Sequence, residues 1–368
     1  MPLYMDFHKI AGLTMEDVRK AHLADVFVQE KYGVKYHQFW LNQEAGTIFC
    51  LTEGPDMETC AMVHRLAHGN VACAMTEVQP GYYKIFMGEG HELDDGIVRN
   101  RDGSTDLGYR TIITVKLVQR INPNASEVLQ QFPTSGGLRK IVLRMIDEFN
   151  GRELNLPGDD VLIGVFNDAS QAARCARNIQ KALLSLPEAC FSIGLSAGQP
   201  VTGNGEFFTK ALALARHLCL ITGENQICVS ALVKDLCKND ELTDQKPLIR
   251  SVTSYEEHFV SELMTLIQGN LSNESFSLDT LCQDMGVSRP QLYRRIRALT
   301  GRSPNDLLRD LRMDKAFNLL KRKTGNISEI SLEVGYQNPS YFARCFTRKF
   351  GCSPSRFVGL SNHIHTPA

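Results

Sequence analysis

Between Ser277 and Phe357 one pattern occurs twice, and it leaves little freedom in how that part of the chain can fold. The first copy reads SLDTLCQDMGVSRPQLYRRIRALTGRSP and the second NISEISLEVGYQNPSYFARCFTRKFGCSP. In each, a short apolar helix stops at a glycine (Gly286, Gly335), a polar turn follows, and a helix carrying arginines runs into Gly-x-Ser-Pro (Gly301–Pro304, Gly351–Pro354). Leu278, Leu281, Met285, Val287, Leu292 and Ile296 form an apolar stripe in the first copy. Ile327, Ile330, Val334, Phe342, Phe346 and Phe350 do so in the second, so these positions are core and nothing more. The arrangement predicts an all-α double helix–turn–helix. In such units the second helix enters a major groove and presents its N-terminal residues to base edges. Two units in one chain let a single copy read two adjacent stretches of groove.

Charge points the same way. The chain of 368 residues has a formal net charge of −1, but residues 270–360 hold fifteen Lys/Arg against eight Asp/Glu. The remainder therefore carries 25 basic and 33 acidic residues. A basic segment attracts phosphate and an acidic one does not, so contact with double-stranded DNA is expected of the last quarter alone.

The length suggests two or three domains. No apolar run approaches the ~18 residues a membrane span needs, and the opening MPLYMDFHKI lacks the features of a signal peptide. The eleven cysteines are scattered and never spaced C-x-x-C, which fits a reducing, cytoplasmic setting with most thiols serving as small core residues. The stretch Gly88–Gly108 is rich in glycine and charge and reads as a linker. A second polar stretch, Lys238–Ser254, separates the middle of the chain from its C-terminal part.

Residues 1–87 read as strand, helix, strand, strand, helix, strand. Tyr4–Ile10 is the first strand, and Thr14 with Asp17 three residues on forms an approximate capping box. Val34–Leu41 and Thr47–Thr52 are strands joined by the hairpin NQEAG; Asp56 caps a helix through His68, and Cys73–Val78 closes the sheet. That order predicts a ferredoxin-like α/β sandwich. Six of the ten histidines lie in the first 91 residues. His22 and Asp25 share one helix face, as do His64 and His68. Imidazole, thiolate and carboxylate together suit nickel, copper or zinc. Spacing alone still favours ordinary surface or capping histidines, since no pair here has a diagnostic ligand motif.

The segments MDFHKIAGLTMEDVRKAHLADVFVQEKYGVKYHQFW and FCLTEGPDMETCAMVHRLAHG resemble the small nickel-binding proteins of ferredoxin-like fold over nearly all of residues 1–80. The marks are Met5-Asp6-x-His8, Ala21-His22-x-x-Asp25, Phe49-Cys50-Leu51, Glu53-x-Pro55 and Val63-His64. The resemblance implies that His8, His22, Cys50 and His64 line a site for nickel, another transition metal or a small ligand, with Asp25 and His68 as secondary candidates.

Residues 109–240 alternate strands (Thr111–Val118, Val161–Phe166, Phe191–Leu195) with helices (Gly137–Phe149, Ala169–Leu186, Phe207–Thr222). GRELNLPGDDVLIGVF, SIGLSAGQPV and FFTKALALARHLCLITGENQICVSALVKDL resemble the catalytic domain of class III adenylate and guanylate cyclases. That family needs two metal-binding aspartates, a purine-binding lysine, and an asparagine and arginine on the phosphates. Here only Asp159 is retained: Thr111–Lys116 contains no carboxylate, Asn155 stands where lysine is expected, and Ala213 and His217 replace the late pair. Such a site cannot hold a metal pair on a triphosphate. A degenerate cyclase-like domain used for ligand sensing or dimerisation follows, with no catalytic residues and no enzyme activity; nucleotide cyclisation is the competing class of function.

The doubled motif, with its Gly-x-Ser-Pro endings and the run Gly335-Tyr336-x-Asn338-x-Ser340-Tyr341-Phe342, resembles the AraC-type bacterial transcription regulators over residues 255–360. The first reading helix, Arg289–Leu299, presents Arg289, Pro290, Tyr293, Arg294 and Arg297; the second, Pro339–Phe350, presents Ser340, Tyr341, Arg344, Arg348 and Lys349. Arg294 and Arg344 are placed to read bases, whereas Arg295, Arg348 and Lys349 are placed to touch phosphate. Arg309–Lys321 is the helical spacer between the readers. The fold expected is multi-domain α+β: a ferredoxin-like N-terminal domain, a cyclase-like α/β middle domain and an all-α C-terminal domain. The function expected is sequence-specific regulation of transcription by a homodimer that responds to a metal or small ligand.

Overall fold

A computed structural model of the chain describes residues 1–88, 92–100, 103–118, 128–156, 160–186, 189–201, 207–237 and 249–363. The N-terminal part runs β1 (Leu3–Lys9), α1 (Met15–Gln29), β2 (Lys35–Asn42), β3 (Thr47–Glu53), α2 (Met57–Ala67) and β4 (Ala74–Val78). The strands lie in the order β4-β1-β3-β2, the expected ferredoxin-like arrangement. Local chemistry sets the boundaries. Thr14 and Asp17 complete a reciprocal capping box on α1, and the Asp56 carboxylate accepts from the Thr59 N–H at the start of α2.

Two strands then depart from the expected linker, after a helix that precedes it. α3 (Pro80–Met87) follows β4 at once, and β5 (Glu92–Asp94) and β6 (Ile97–Arg99) form a hairpin that extends the first sheet through Phe39 opposite Ile97. Glycine and charge in this stretch serve a tight turn at Asp95-Gly96, where both residues take positive φ.

The middle part contains β7 (Arg110–Val118), α4 (Val128–Glu148), β8 (Arg152–Leu154), β9 (Val161–Phe166), α5 (Ala169–Leu184), β10 (Cys190–Gly198), α6 (Thr209–Ile221), β11 (Gln226–Val229), α7 (Ala231–Leu236) and β12 (Ile249–Ser251). Its sheet has the order β12-β11-β10-β7-β9-β8. β7 and β10 are its central antiparallel pair, in register from Arg110 opposite Gly198 to Val118 opposite Cys190. Asp159 and positions 238–248 of the second polar stretch lie outside the described residues.

The C-terminal part is all helical: α8 (Ser254–Gly269), α9 (Leu278–Asp284), α10 (Arg289–Thr300), α11 (Pro304–Arg322), α12 (Ile327–Glu333), α13 (Pro339–Phe350) and α14 (Pro354–His363). Both helix–turn–helix units are present, α9–α10 and α12–α13, with glycines 286, 301, 335 and 351 at positive φ in the turns and caps. α11, 19 residues and therefore about 28 Å long, spans the two.

The three parts share cores. Met5, Trp40, Phe49 and Leu51 pack with Phe86, Ile112, Ile163 and Phe208, so the first sheet is covered by α1 and α2 on one face and by the middle part on the other. This explains the near-continuous burial of β3, whose sequence does not alternate. Leu218 and Ile221 of α6 join Phe259, Leu263, Leu292 and Ile296 in a second common core. The second helix–turn–helix has a core of its own around Phe317, Phe342, Phe346 and Phe357.

Candidate functional site

The first cluster lies between the first sheet and its helices. Asp6 on β1 stands directly opposite Cys50 on β3, so both project onto the helix-facing side with His8 two residues on. His64 descends onto them from α2. Donor atoms of Asp6, His8, Cys50 and His64 all lie within 4.8 Å of one another, and all four residues are buried. A second group, Asp25, His64 and His68, shares the same imidazole. Cys50, His8, His64 and His22 line one cavity of about 50 Å³.

The four residues singled out from the sequence therefore surround one space. His8, Cys50 and His64 are mutually in reach, while His22 lines the wall, its ring 5.2 Å from that of Phe39 and against Gly96. Asp6, which the sequence reading quoted only as part of a motif, proves to be the hub. The Cys50 N–H donates to its Oδ1 at 3.0 Å, His64 Nε2 to its Oδ2 at 2.7 Å, and His8 Nε2 lies 3.4 Å from Oδ1. Its strand position opposite Cys50 becomes visible only once β1 and β3 are paired.

The electrostatics are those of a cation held between anions. Burial works against a charged His64, but bonds to Asp25 (3.0 Å) and Asp6 override it and push the imidazole up to about 10. Burial raises Asp6 and Asp25, yet His8 and His64 for the first, and His64 and His68 for the second, hold both carboxyls below the usual range. Burial, then Asp6 and Asp25, push the Cys50 thiol well up, and burial lowers His22. Asp25 Oδ1 is buried without a hydrogen-bond partner among the described residues. Two imidazoles, a thiol and a carboxylate, ringed by further acid and imidazole, fit a borderline divalent cation. To bind such a cation His64 and Cys50 would have to release their protons to solvent.

The second cluster is the surface of the reading helices. Ser288 and Gln291 close a capping box on α10, Asn338 caps α13, and Pro290 and Pro339 sit in the first turns. Arg294 and Arg344 are exposed, as are Pro290, Tyr293, Arg297, Ser340, Tyr341 and Arg348. Arg344 lies over the Tyr341 ring at 5.6 Å. Arg289 is exposed but paired in two-pronged fashion with Asp279 of α9. Two expectations are corrected. Arg295 turns inward and lies over the rings of Tyr255 and Phe259 on α8, at 5.2 and 5.4 Å. Lys349 binds Asp314 at 2.7 Å and the Asp310 carbonyl at 2.6 Å, because the helical period carries it from the outer face of α13 towards α11. Both are thus engaged by neighbouring helices of the chain.

Residues 281–359 match the family described as helix-turn-helix domain, and residues 4–78 match nickel responsive protein SCO4226-like. The C-terminal part is an AraC-type DNA-binding domain. The HTH-type transcriptional activator RhaR of Salmonella dublin is 34% identical over 137 residues, covering 37% of this chain and 46% of RhaR. Histidine kinase P4 of Formosa agariphila is 35% identical over 107 residues, which are 29% of this chain and 8% of the kinase. The chain thus spans less than half the length of these curated relatives. The crystal structure of SCO4226 from Streptomyces coelicolor A3(2) is 38% identical, with 21% of this chain and 94% of that one covered and a TM-score of 0.20.

In the middle part, β7 carries no carboxylate between Thr111 and Lys116. His217 is buried and bonded to Gln268 of α8 at 3.4 Å, so it faces the C-terminal helical part. Among the described residues no helix is long and apolar enough to cross a membrane.

Proposed function

We propose that the chain is a cytoplasmic, metal-responsive regulator of transcription. Its N-terminal domain holds a transition metal of the nickel type through His8, Cys50, His64 and Asp6, with His22, Asp25 and His68 around them. Its AraC-type domain reads promoter DNA, with Arg294 and Arg344 on base edges and Arg348 on phosphate. A bound metal would supply a positive charge in place of the proton on His64. The single observation that carries the reading is the convergence of four buried donor residues from β1, β3 and α2 in the domain that matches the nickel-responsive family.

The path between the two ends supports a regulatory use. The His22 ring rests against Gly96 in the β5–β6 turn, whose carbonyl accepts from the Phe39 N–H at 2.7 Å. Asp106, just beyond that hairpin, holds the fully buried Arg110 through bonds of 2.9 and 2.8 Å. Arg110 opens β7, and Lys116 near the other end of the same strand reaches Asp314 of α11 at 2.6 Å. A metal acts as an effector if it binds the DNA-competent and incompetent arrangements with different affinity. Fluorescence titration of a promoter duplex with nickel-loaded and nickel-free protein tests this. Unequal dissociation constants are expected, and equal ones at saturating nickel would defeat the sensor reading.

A further inference from the structure

One cavity holds no residue of the metal cluster and meets the second cluster only at Arg348 and Lys349. It has a volume of about 480 Å³ and lies where the middle part meets the DNA-binding domain. Its floor is the end of β7 and β10 together with the C-terminus of α6, and its opposite wall is α11 and α13. The size is that of an ordinary small-molecule site.

Five cations face it: Lys116 from the middle sheet, Arg302 and Arg309 around the start of α11, and Arg348 and Lys349 from α13. Three lining carboxylates oppose them, Glu224, Asp310 and Asp314, and Arg309 is paired with Asp306 beside the lining, which leaves a local excess of one positive charge. The pairing is uneven. Lys116 and Lys349 share the single carboxylate of Asp314, at 2.6 and 2.7 Å. Arg302 is engaged by Asp310 and by the carbonyls of Leu220 and Ile221. Arg348 is exposed and forms no ion pair among the described residues. The other surfaces are apolar, from Val118, Phe191, Leu220 and Met313.

We infer that this cleft binds a small organic anion, a phosphate or carboxylate group on an apolar body, with its charge between Lys116 and Arg348 and its body against Phe191 and Leu220. DNA is the poorer occupant. A duplex brings one negative charge per ~1.7 Å of axis, and three wall carboxylates with an apolar floor oppose a polyanion. A compact anion needs only the small positive excess that is present. Because the walls come from two parts of the chain, the occupant ties the middle sheet to the second reading helix. This site is independent of the metal cluster and goes beyond the metal-responsive reading.

The test is isothermal titration of the metal-free full-length protein with inorganic pyrophosphate and, separately, with citrate, so that phosphate and carboxylate sources are told apart. Saturable one-to-one binding of at least one is expected. Arg348→Ala should weaken it at least about tenfold, the effect of one charge-assisted contact, and its exposure means the variant should fold. Lys116→Met should do the same from the other wall. No saturable binding of either anion, or binding unchanged in Arg348→Ala, overturns the inference. So does a duplex of arbitrary sequence that depends on Lys116 and Arg348 while neither small anion binds, which would make the cleft a backbone-phosphate contact. No metal is present in this titration, so its failure leaves the sensor reading untouched, and equal DNA affinities with and without nickel leave this one untouched.

Discussion

Replacing Asp314 with asparagine should reveal how firmly the middle part grips the DNA-binding domain. The carboxylate sits between Lys116 Nζ at 2.6 Å and Lys349 Nζ at 2.7 Å, and the three side chains are only 17–20% exposed. Asparagine keeps the shape and removes the charge, leaving two ammonium groups facing each other. Removing one partner of a fully buried ion pair costs about 3–5 kcal/mol; with the residual exposure here we expect about 2–3 kcal/mol. Lys116→Met leaves Asp314 paired with Lys349 and should cost less, about 1 kcal/mol, and the double variant should lose less than the sum of the two. Urea denaturation followed by fluorescence and far-UV dichroism measures these differences. The pH dependence has a definite sign. Burial raises Asp314, but Lys116 and Lys349 override it and hold the carboxyl below its ordinary value. Its stabilisation is therefore present above the unfolded pKa of about 3.9 and is lost as pH falls through the lower folded value. The Asp314→Asn penalty should be full at neutral pH and fade in acid. A penalty below about 0.5 kcal/mol, or one that persists unchanged in acid, would refute the reasoning and class the trio with surface pairs.

Three further outcomes are expected. Arg344→Ala should weaken specific promoter binding by about 1–3 kcal/mol and relax preference at one base pair; equal loss on all duplexes in a binding assay would demote it to a phosphate contact. Arg295→Ala should leave DNA affinity unchanged while lowering stability by about 0.5–1 kcal/mol through loss of its contacts with Tyr255 and Phe259, so a change in DNA affinity would return it to the interface. Gly96 has φ +87°, and a Cβ there would lie 2.3 Å from His22 Nε2. Gly96→Ala should strain the turn by about 1–2 kcal/mol, displace the imidazole and weaken nickel binding in a calorimetric titration, and unchanged affinity would remove His22 from the metal's surroundings.

Elements with local causes were readable in the sequence. The capping pair Thr14/Asp17 and the turn glycines 286 and 335 act over three or four residues, so their signals lie side by side in the chain. Elements with non-local causes were not. β5 and β6 are strands because β2 offers an edge, and the polar GEGHELDDG run gives no sign of that edge. Asp6 became the hub of the metal cluster only through its register with Cys50, 44 positions away. Arg295 and Lys349 illustrate the same limit. Each lies on a reading helix, with the charge and sequence position of a phosphate contact. Their destinations were set by Tyr255 and Phe259 on α8 and by Asp314 on α11, and helical periodicity cannot report which neighbour a side chain will find.

The shared cores constrain how any signal could travel. Domains joined only by a linker move freely, and an effector in one then has no energetic hold on the other. Here Trp40 and Phe49 of the N-terminal domain pack with Phe86 and Phe208, and Leu218 and Ile221 of α6 pack with Phe259 and Ile296 beneath the first reading helix. Close-packed interfaces of this kind resist continuous deformation and favour discrete rearrangement. The second helix–turn–helix differs, since its core around Phe317 and Phe346 is its own and Lys116 meets Asp314 at its border. Its position relative to the first reader is not fixed by a shared apolar cluster among the described residues. A switch in this chain should therefore act by changing the spacing of the two readers, and the Asp314 ion trio is where that change would be opposed.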